Sequence, residues 1–184
     1  MRIIAGKYRS LPLEAVKGNH TRPTTDKIKE AVFNSVGPYF DGGEMLDLYA
    51  GSGSVGLECI SRGMDHAVFV DKSYDAISTI KKNIGFVKVP SQCTVYKMDA
   101  LAALRRCADE KRQFDLVYLD PPYAQEQNEK VMTALCQMNL LKQGAVVIVE
   151  SLKEDVFSDE IGSLMKYKEA VYGITRISYY EVKL

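Results

Sequence analysis

The tetrapeptide Asp120-Pro121-Pro122-Tyr123 combines residue types that point to recognition of an amine. Two successive prolines fix φ and remove two backbone donors, so the carbonyl between them is an acceptor with no neighbouring N–H. The Asp120 carboxylate is a second acceptor, and Tyr123 offers a flat aromatic face. Two acceptors beside such a plate suit an exocyclic NH2 group on a stacked planar base.

A second constellation lies upstream. Asp47-Leu48-Tyr49-Ala50-Gly51-Ser52-Gly53-Ser54-Val55-Gly56 contains a complete G-x-G-x-x-G, and Asp71 follows roughly 20 residues after its first glycine. Glycines allow a tight turn and close backbone approach to a ligand, and Asp71 is placed to accept hydrogen bonds from ribose hydroxyls. The glycine pattern alone suits a nicotinamide dinucleotide or another adenosine-bearing cofactor. Asp47 and Asp99 tilt the choice. A carboxylate before the glycines would meet a cationic amino group and would gain nothing from a pyrophosphate. Asp99 would accept a bond from an adenine amine. An amino acid joined to adenosine satisfies both.

The elements that carry these residues alternate in type. Met45 to Tyr49 reads as a strand, followed by the glycine turn and a helix from about Ser54. His66 to Asp71 is a second strand, before a helix with Ile77, Ile80 and Ile84 on one face. Thr94 to Met98 is a third, followed by a helix with Leu101, Leu104 and Ala108. Phe114 to Leu119 is a fourth, with a helix around Val131, Leu135 and Met138, and Gly144 to Val149 is a fifth. Near-continuous apolar strands separated by amphipathic helices imply a doubly wound, mostly parallel α/β sheet with helices on both faces. In such sheets ligands bind beyond the carboxyl ends of the strands. The tail from Leu164, strand-like around Tyr172-Gly173, suits an antiparallel edge pair. Before the first strand, Thr24 to Tyr39 reads as a helix with Ile28, Ala31, Val32, Ser35 and Tyr39 on one face. Residues 3–5 and 11–16 read as the two arms of a small hairpin.

The 184 residues are 46% hydrophobic and 26% charged, which excludes disorder and fibrous classes and favours a single domain. With 24 basic and 24 acidic residues the net charge is zero, so no global field draws a polyanion. The cations are unevenly placed, however. Up to position 22, Arg2, Lys7, Arg9, Lys17 and Arg22 face one acid, Glu14, a local excess of four. Cys59, Cys93, Cys107 and Cys136 form no CxxC pair and are joined by only His20 and His66, so a metal cluster is not expected. No signal sequence or membrane-length apolar run is present, and a cytoplasmic location is the expectation.

Asp120-Pro121-Pro122-Tyr123 after a fourth strand resembles the amino-methyltransferase motif of the class I, S-adenosylmethionine-dependent enzymes. Arg22-Pro23-Thr24-Thr25-Asp26, continuing through Glu30-Ala31-Val32-Phe33-Asn34, is similar to the N-terminal motif of the 16S ribosomal RNA (guanine(966)-N(2))-methyltransferase family. So are Arg2-Ile3-Ile4-Ala5-Gly6 and Asp47-Leu48-Tyr49-Ala50-Gly51-Ser52-Gly53. The likeness covers nearly the whole chain and weakens after Ser151. The family often has Phe where Tyr49 stands.

The resemblance implies a Rossmann-like sheet of seven strands, the last antiparallel, and S-adenosylmethionine as cofactor. It implies methyl transfer to the exocyclic N2 of guanine 966 in 16S ribosomal RNA, within the small ribosomal subunit or a late assembly intermediate. Carried over by position, Asp47 would face the methionine end of the cofactor, Asp71 the ribose and Asp99 the adenine. Tyr49, Gly51, Gly53, Lys72 and Ala100 would complete that site. Asp120, Pro121, Pro122 and Tyr123 would hold the guanine. Separately from the resemblance, the local cation excess points to Arg2, Lys7, Arg9 and Arg22 as contacts to the RNA backbone. Residues 1–184 would form one methyltransferase domain, with 1–22 a basic hairpin extension and 23–184 the class I fold. No metal and no membrane contact are implied. Three other readings compete. A DNA adenine-N6 methyltransferase shares the Asp-Pro-Pro-Tyr chemistry but needs room for a sequence-reading domain. A nicotinamide-dependent oxidoreductase shares the glycine fingerprint but needs a second catalytic domain. A non-enzymatic RNA-binding assembly factor leaves the intact acids without a purpose.

Overall fold

The structure, a computed structural model, describes residues 1–18, 25–122 and 124–183, and for 124–126 the backbone only. Arg22, Pro23, Thr24 and Tyr123 therefore lie outside the described residues. The chain divides into two compact units, Met1–Asp99 and Ala100–Leu184.

The first unit is built on three parallel strands, β1 (Glu44–Asp47), β2 (His66–Asp71) and β3 (Cys93–Lys97), in the order β3-β2-β1. Met45, Leu46 and Ala67 to Val70 are completely buried. That matches their unbroken apolar runs, because a strand covered on both faces needs no polar alternation. Helix α1 (Asp26–Val36) starts at Thr25, whose hydroxyl accepts from the Ile28 amide at 3.2 Å. It ends before Gly37-Pro38, since proline supplies no amide to extend the ladder. Tyr39, expected on its buried face, lies beyond the helix and is 63% exposed. Helices α2 (Ser54–Ser61) and α3 (Tyr74–Val87) follow β1 and β2. Ser73 caps α3 by accepting from the Ala76 amide at 3.3 Å.

The hairpin expected at the start of the chain is reduced to one antiparallel bridge, Arg2 with Pro12. Ile3 N donates to Leu11 O at 3.0 Å and Ser10 N to Ile3 O at 2.9 Å, so the chain does reverse there. It does not form strands because several of its amides bond elsewhere. Those of Ile4 and Ala5 go to Glu58 and that of Glu14 to Asn83. Pro12 has none to give.

The second unit contains helices α4 (Ala100–Asp109) and α5 (Ala124–Gln137). Its strands are β4 (Phe114–Leu119), β5 (Leu141–Leu152), β6 (Glu160–Ile161), β7 (Leu164–Tyr172) and β8 (Thr175–Val182). Their order is β4-β5-β8-β7-β6, with β4 and β5 parallel and every other pair antiparallel. β5 begins at Leu141, earlier than expected, and passes an irregularity in its pairing with β4. The antiparallel pair expected in the tail is β7 and β8, joined at Gly173. β8 lies between β5 and β7. Among the described residues the strands number eight rather than seven. The additional one, β6, has two residues folded back on Leu164 and Met165, too few for an alternation to register in a sequence.

Candidate active site

Because β1, β2 and β3 are parallel and in register, the loops leaving their carboxyl ends meet at one edge of the first unit. β1 stops at Asp47, two residues before the expected end, because Leu48-Tyr49 already turns. Ala50 N donates to Val70 O at 2.9 Å, Gly51 N to Asp71 Oδ2 at 3.0 Å and Met98 N to Asp71 O at 3.2 Å. Asp71 is thus the central fastener of the three loops. Its second oxygen accepts from Ser73 N at 2.9 Å and so also anchors the start of α3.

The glycine turn owes its path to Gly53, which at φ +84 adopts a left-handed conformation and directly precedes α2. Three residues on, a Cβ on Gly56 would lie 2.2 Å from the Phe69 ring of β2, so helix and strand pack this closely only without one. Asp47 is 2% exposed and accepts from Gly56 N at 3.1 Å, holding the first turn of α2 to the end of β1. Asp99, Lys72 and, in part, Ala100 remain accessible beyond β2 and β3.

Two observations suit this edge to an adenosine-bearing group. A Cβ placed on Gly51 meets no atom within 4 Å, so the turn's backbone is open to close approach. The Tyr49 hydroxyl is buried and, among the described residues, has no hydrogen-bond partner. Burial, reinforced by the charge of Asp99, pushes the Tyr49 phenol up to about 12, so it keeps its proton at neutral pH.

In the second unit, Asp120-Pro121-Pro122 follows the last paired residue of β4, Leu119, which stands opposite Val149 of β5. Pro121 is buried, Asp120 half-buried and Pro122 exposed. Just before this segment, Tyr118 donates to Glu150 at 2.6 Å in a buried bond that ties the ends of β4 and β5 together. That pair was not anticipated from the sequence, although a carboxylate ending an apolar strand is a signal that could have raised it. Among the expected RNA contacts, Arg2, Lys7 and Arg9 are exposed on the first unit, with Arg2 3.6 Å from Asp26. Among the described residues, no group of three or more His, Cys, Asp or Glu could hold a metal, and no helix is long and apolar enough to cross a membrane.

Parallel strands leading into a glycine turn, an acid closing β2 and Asp-Pro-Pro closing β4 together define the class I methyltransferase fold. Within that class the chain belongs to the family described as Conserved hypothetical protein 95, whose model matches residues 1–181. It is 39% identical over 181 residues to "Putative rRNA methyltransferase YlbH" of Bacillus subtilis, covering 98% of each chain. It is 35% identical to "Ribosomal RNA small subunit methyltransferase D" of Haemophilus influenzae, over 91% of this chain and 88% of that one. The solved "Putative methyltransferase yhhF" of Escherichia coli matches it with a TM-score of 0.85 at 26% identity, covering 100% of this chain and 98% of the other.

Proposed function

We propose that this protein transfers a methyl group from S-adenosylmethionine to the exocyclic N2 of a guanine in small-subunit ribosomal RNA, with guanine 966 of 16S RNA as the target. The observation that carries the reading is Asp120-Pro121-Pro122-Tyr123 directly after β4 in a class I fold. The names of the relatives, ribosomal RNA methyltransferases in Bacillus subtilis and Haemophilus influenzae, support RNA over DNA as the substrate class.

When bound, S-adenosylmethionine supplies an electrophilic sulfonium methyl. Asp71, whose oxygens each already accept one amide, offers its remaining lone pairs to the ribose hydroxyls. Asp99 accepts from the adenine amine, the Gly51–Gly53 backbone provides close approach, and Asp47 braces the turn on the methionine side. Lys72 and Ala100 complete the rim.

The guanine amine is a weak nucleophile because its lone pair is delocalised into the ring. Hydrogen bonds accepted by Asp120 and by the Pro121 carbonyl turn that lone pair out of conjugation and towards the methyl. Methyl transfer would join this nitrogen to the methyl carbon as its bond to sulfur breaks, the thioether being the leaving group, and the amine proton would pass to Asp120 or to water. Most of the acceleration comes from holding the two reactants in line. The target base must leave its stack to reach these groups, and Tyr123 receives it by stacking.

The test is transfer of labelled methyl to small ribosomal subunits, to duplex DNA and to free RNA, followed by mapping of the modified nucleotide. N2-methylguanine at one position of 16S RNA is the expected product. Label on DNA adenine, or no transfer, overturns the reading. Within it, Asp120→Asn should depress kcat more than KM, because the lost charge acts chiefly on the developing ammonium. Full activity in that variant would show the charge to be dispensable.

A further inference from the structure

Two buried polar side chains join the N-terminal hairpin to the glycine turn. Asn83, fully buried on α3, accepts from Glu14 N at 2.9 Å. Its amide nitrogen donates to Glu14 O at 3.0 Å and to Ser52 O at 2.9 Å. Lys29, buried on α1, directs its ammonium at three oxygens: Arg2 O at 2.7 Å, Ser54 Oγ at 2.8 Å and the Glu58 carboxylate at 3.2 Å. The two flanks of the turn, Ser52 and Ser54, therefore each share a buried partner with the segment that carries Arg2, Lys7 and Arg9.

The same segment is fastened to α2, the helix that the turn opens. Ile4 N and Ala5 N donate to the Glu58 carboxylate at 2.9 and 3.1 Å. Lys7 N donates to Ser61 O at 2.8 Å, Tyr8 N to Ser61 Oγ at 2.9 Å, and that hydroxyl to Ala5 O at 2.6 Å. Gly6 makes this approach possible. Its φ is +90, and a Cβ there would sit 1.9 Å from Ser61 O. An ammonium and an amide buried this deeply are costly unless every bond is made. Displacing either the hairpin or the turn would leave these groups unsatisfied.

We propose that Lys29 and Asn83 are positioning residues that couple RNA docking on the N-terminal hairpin to the grip of the Gly51–Ser54 turn on the methyl donor. The proposal rests on the reading that the hairpin contacts RNA and the turn contacts S-adenosylmethionine. Ordering the turn around a cofactor orders the hairpin through the shared bonds, and docking the hairpin orders the turn. Either ligand thus meets part of the other's ordering cost, so the coupling is positive and, by linkage, reciprocal.

Small ribosomal subunits purified from cells lacking this enzyme, titrated with and without saturating S-adenosylhomocysteine, provide the measurement. In the wild-type protein the product cofactor should tighten subunit binding by about fivefold or more. In Lys29→Met and Asn83→Ala the ratio should fall below about twofold, while each ligand alone still binds. A ratio of one in the wild type, or an undiminished ratio in both variants, overturns the proposal. Hydrogen exchange of the wild-type protein needs no variant to fold. Subunit binding without cofactor should slow exchange of the Gly51–Leu57 amides, and unchanged exchange there refutes the coupling. Methyl transfer separates the two readings. Subunits that are methylated without coupling remove only this inference, whereas subunits neither bound nor methylated remove both.

Discussion

Asp71 does more than an acid at the end of a strand is usually asked to do. Both its oxygens hold backbone amides, of Gly51 and of Ser73. Asp71→Ala should therefore loosen the glycine turn as well as remove charge-assisted bonds to the cofactor. The expected loss of roughly 1.5–3 kcal/mol corresponds to about a 10- to 100-fold rise in the Kd for S-adenosylmethionine. Calorimetry with an unchanged Kd would take Asp71 out of the site. Tyr49 behaves in the opposite sense. Its buried hydroxyl has no partner among the described residues, so Tyr49→Phe should stabilise the ligand-free protein by about 1 kcal/mol while weakening cofactor binding. The phenol is raised in the folded state from its usual 10 to about 12. Its titration therefore leaves stability undiminished below pH 10 and lowers it as the pH climbs through about 12. In denaturation curves the alkaline loss of stability should be smaller for Tyr49→Phe than for the wild type, the remainder coming from Tyr167, Tyr180, Cys59 and Cys93, which burial also raises. At Tyr123, Phe should keep most activity, and Ala should lower productive binding by roughly 10- to 100-fold, as expected for a base-stacking plate. Equal losses in the two variants would assign the role to the hydroxyl.

Among the elements, α2 carries the densest set of constraints. Glu58 is fully buried and meets Lys29 at 3.2 Å and Arg62 at 2.7 Å while accepting from two amides of the hairpin. Arg62 also stacks over the Phe33 ring, 4.8 Å from its centroid, so the cluster reaches α1 from both ends of α2. Burial pulls the Lys29 ammonium below its ordinary range, and the Glu58 charge opposes that shift. Removing the one anion would leave two buried cations facing each other. Glu58→Gln should therefore destabilise the protein by about 3–5 kcal/mol, measured as a fall in the urea midpoint. A loss below about 1 kcal/mol, in the range of exposed pairs, would mean that water reaches the cluster. The same helix shows why its glycine is needed, since α2 packs on β2 where Gly56 faces Phe69.

For the molecule as a whole, the neutral charge sum confines any attraction for RNA to local patches, and the exposed Arg2, Lys7 and Arg9 are the patch we propose. Truncating the hairpin is the wrong way to test it. Ile3 and Leu13 belong to the core, and the segment between them supplies the amides that satisfy Glu58. The side chains can be neutralised instead. In a Lys7→Gln, Arg9→Gln variant the log–log salt dependence of subunit binding should flatten by roughly 0.7–0.9 for each phosphate that no longer meets a cation. Thermal stability should be retained. An unaltered slope would make the patch an ordinary solvated surface.

By itself the sequence determined what depends on neighbours along the chain. The β1-to-β5 alternation, the glycine turn and the place of Asp71 and Asp120 were all legible because fully buried parallel strands need unbroken apolar runs, and a turn this tight needs glycine at Gly53. The antiparallel β7 and β8 were legible from the turn at Gly173. Only the tertiary structure decided which groups far apart in sequence would satisfy one another. Lys29 falls in the amphipathic pattern of α1 where a lysine reads as solvated, yet its partners are the carbonyl of Arg2 and the side chains of Ser54 and Glu58. Asn83 reads as an ordinary helical amide, yet it bridges Glu14 and Ser52. Asp47 was expected to face a ligand, and its bond to Gly56 also makes it a brace for the helix. Hydrophobic periodicity records which face of an element is buried. It carries no mark of the partner that a buried charge or amide will find, because that pairing exists only once distant segments have been brought together and water has been excluded from between them.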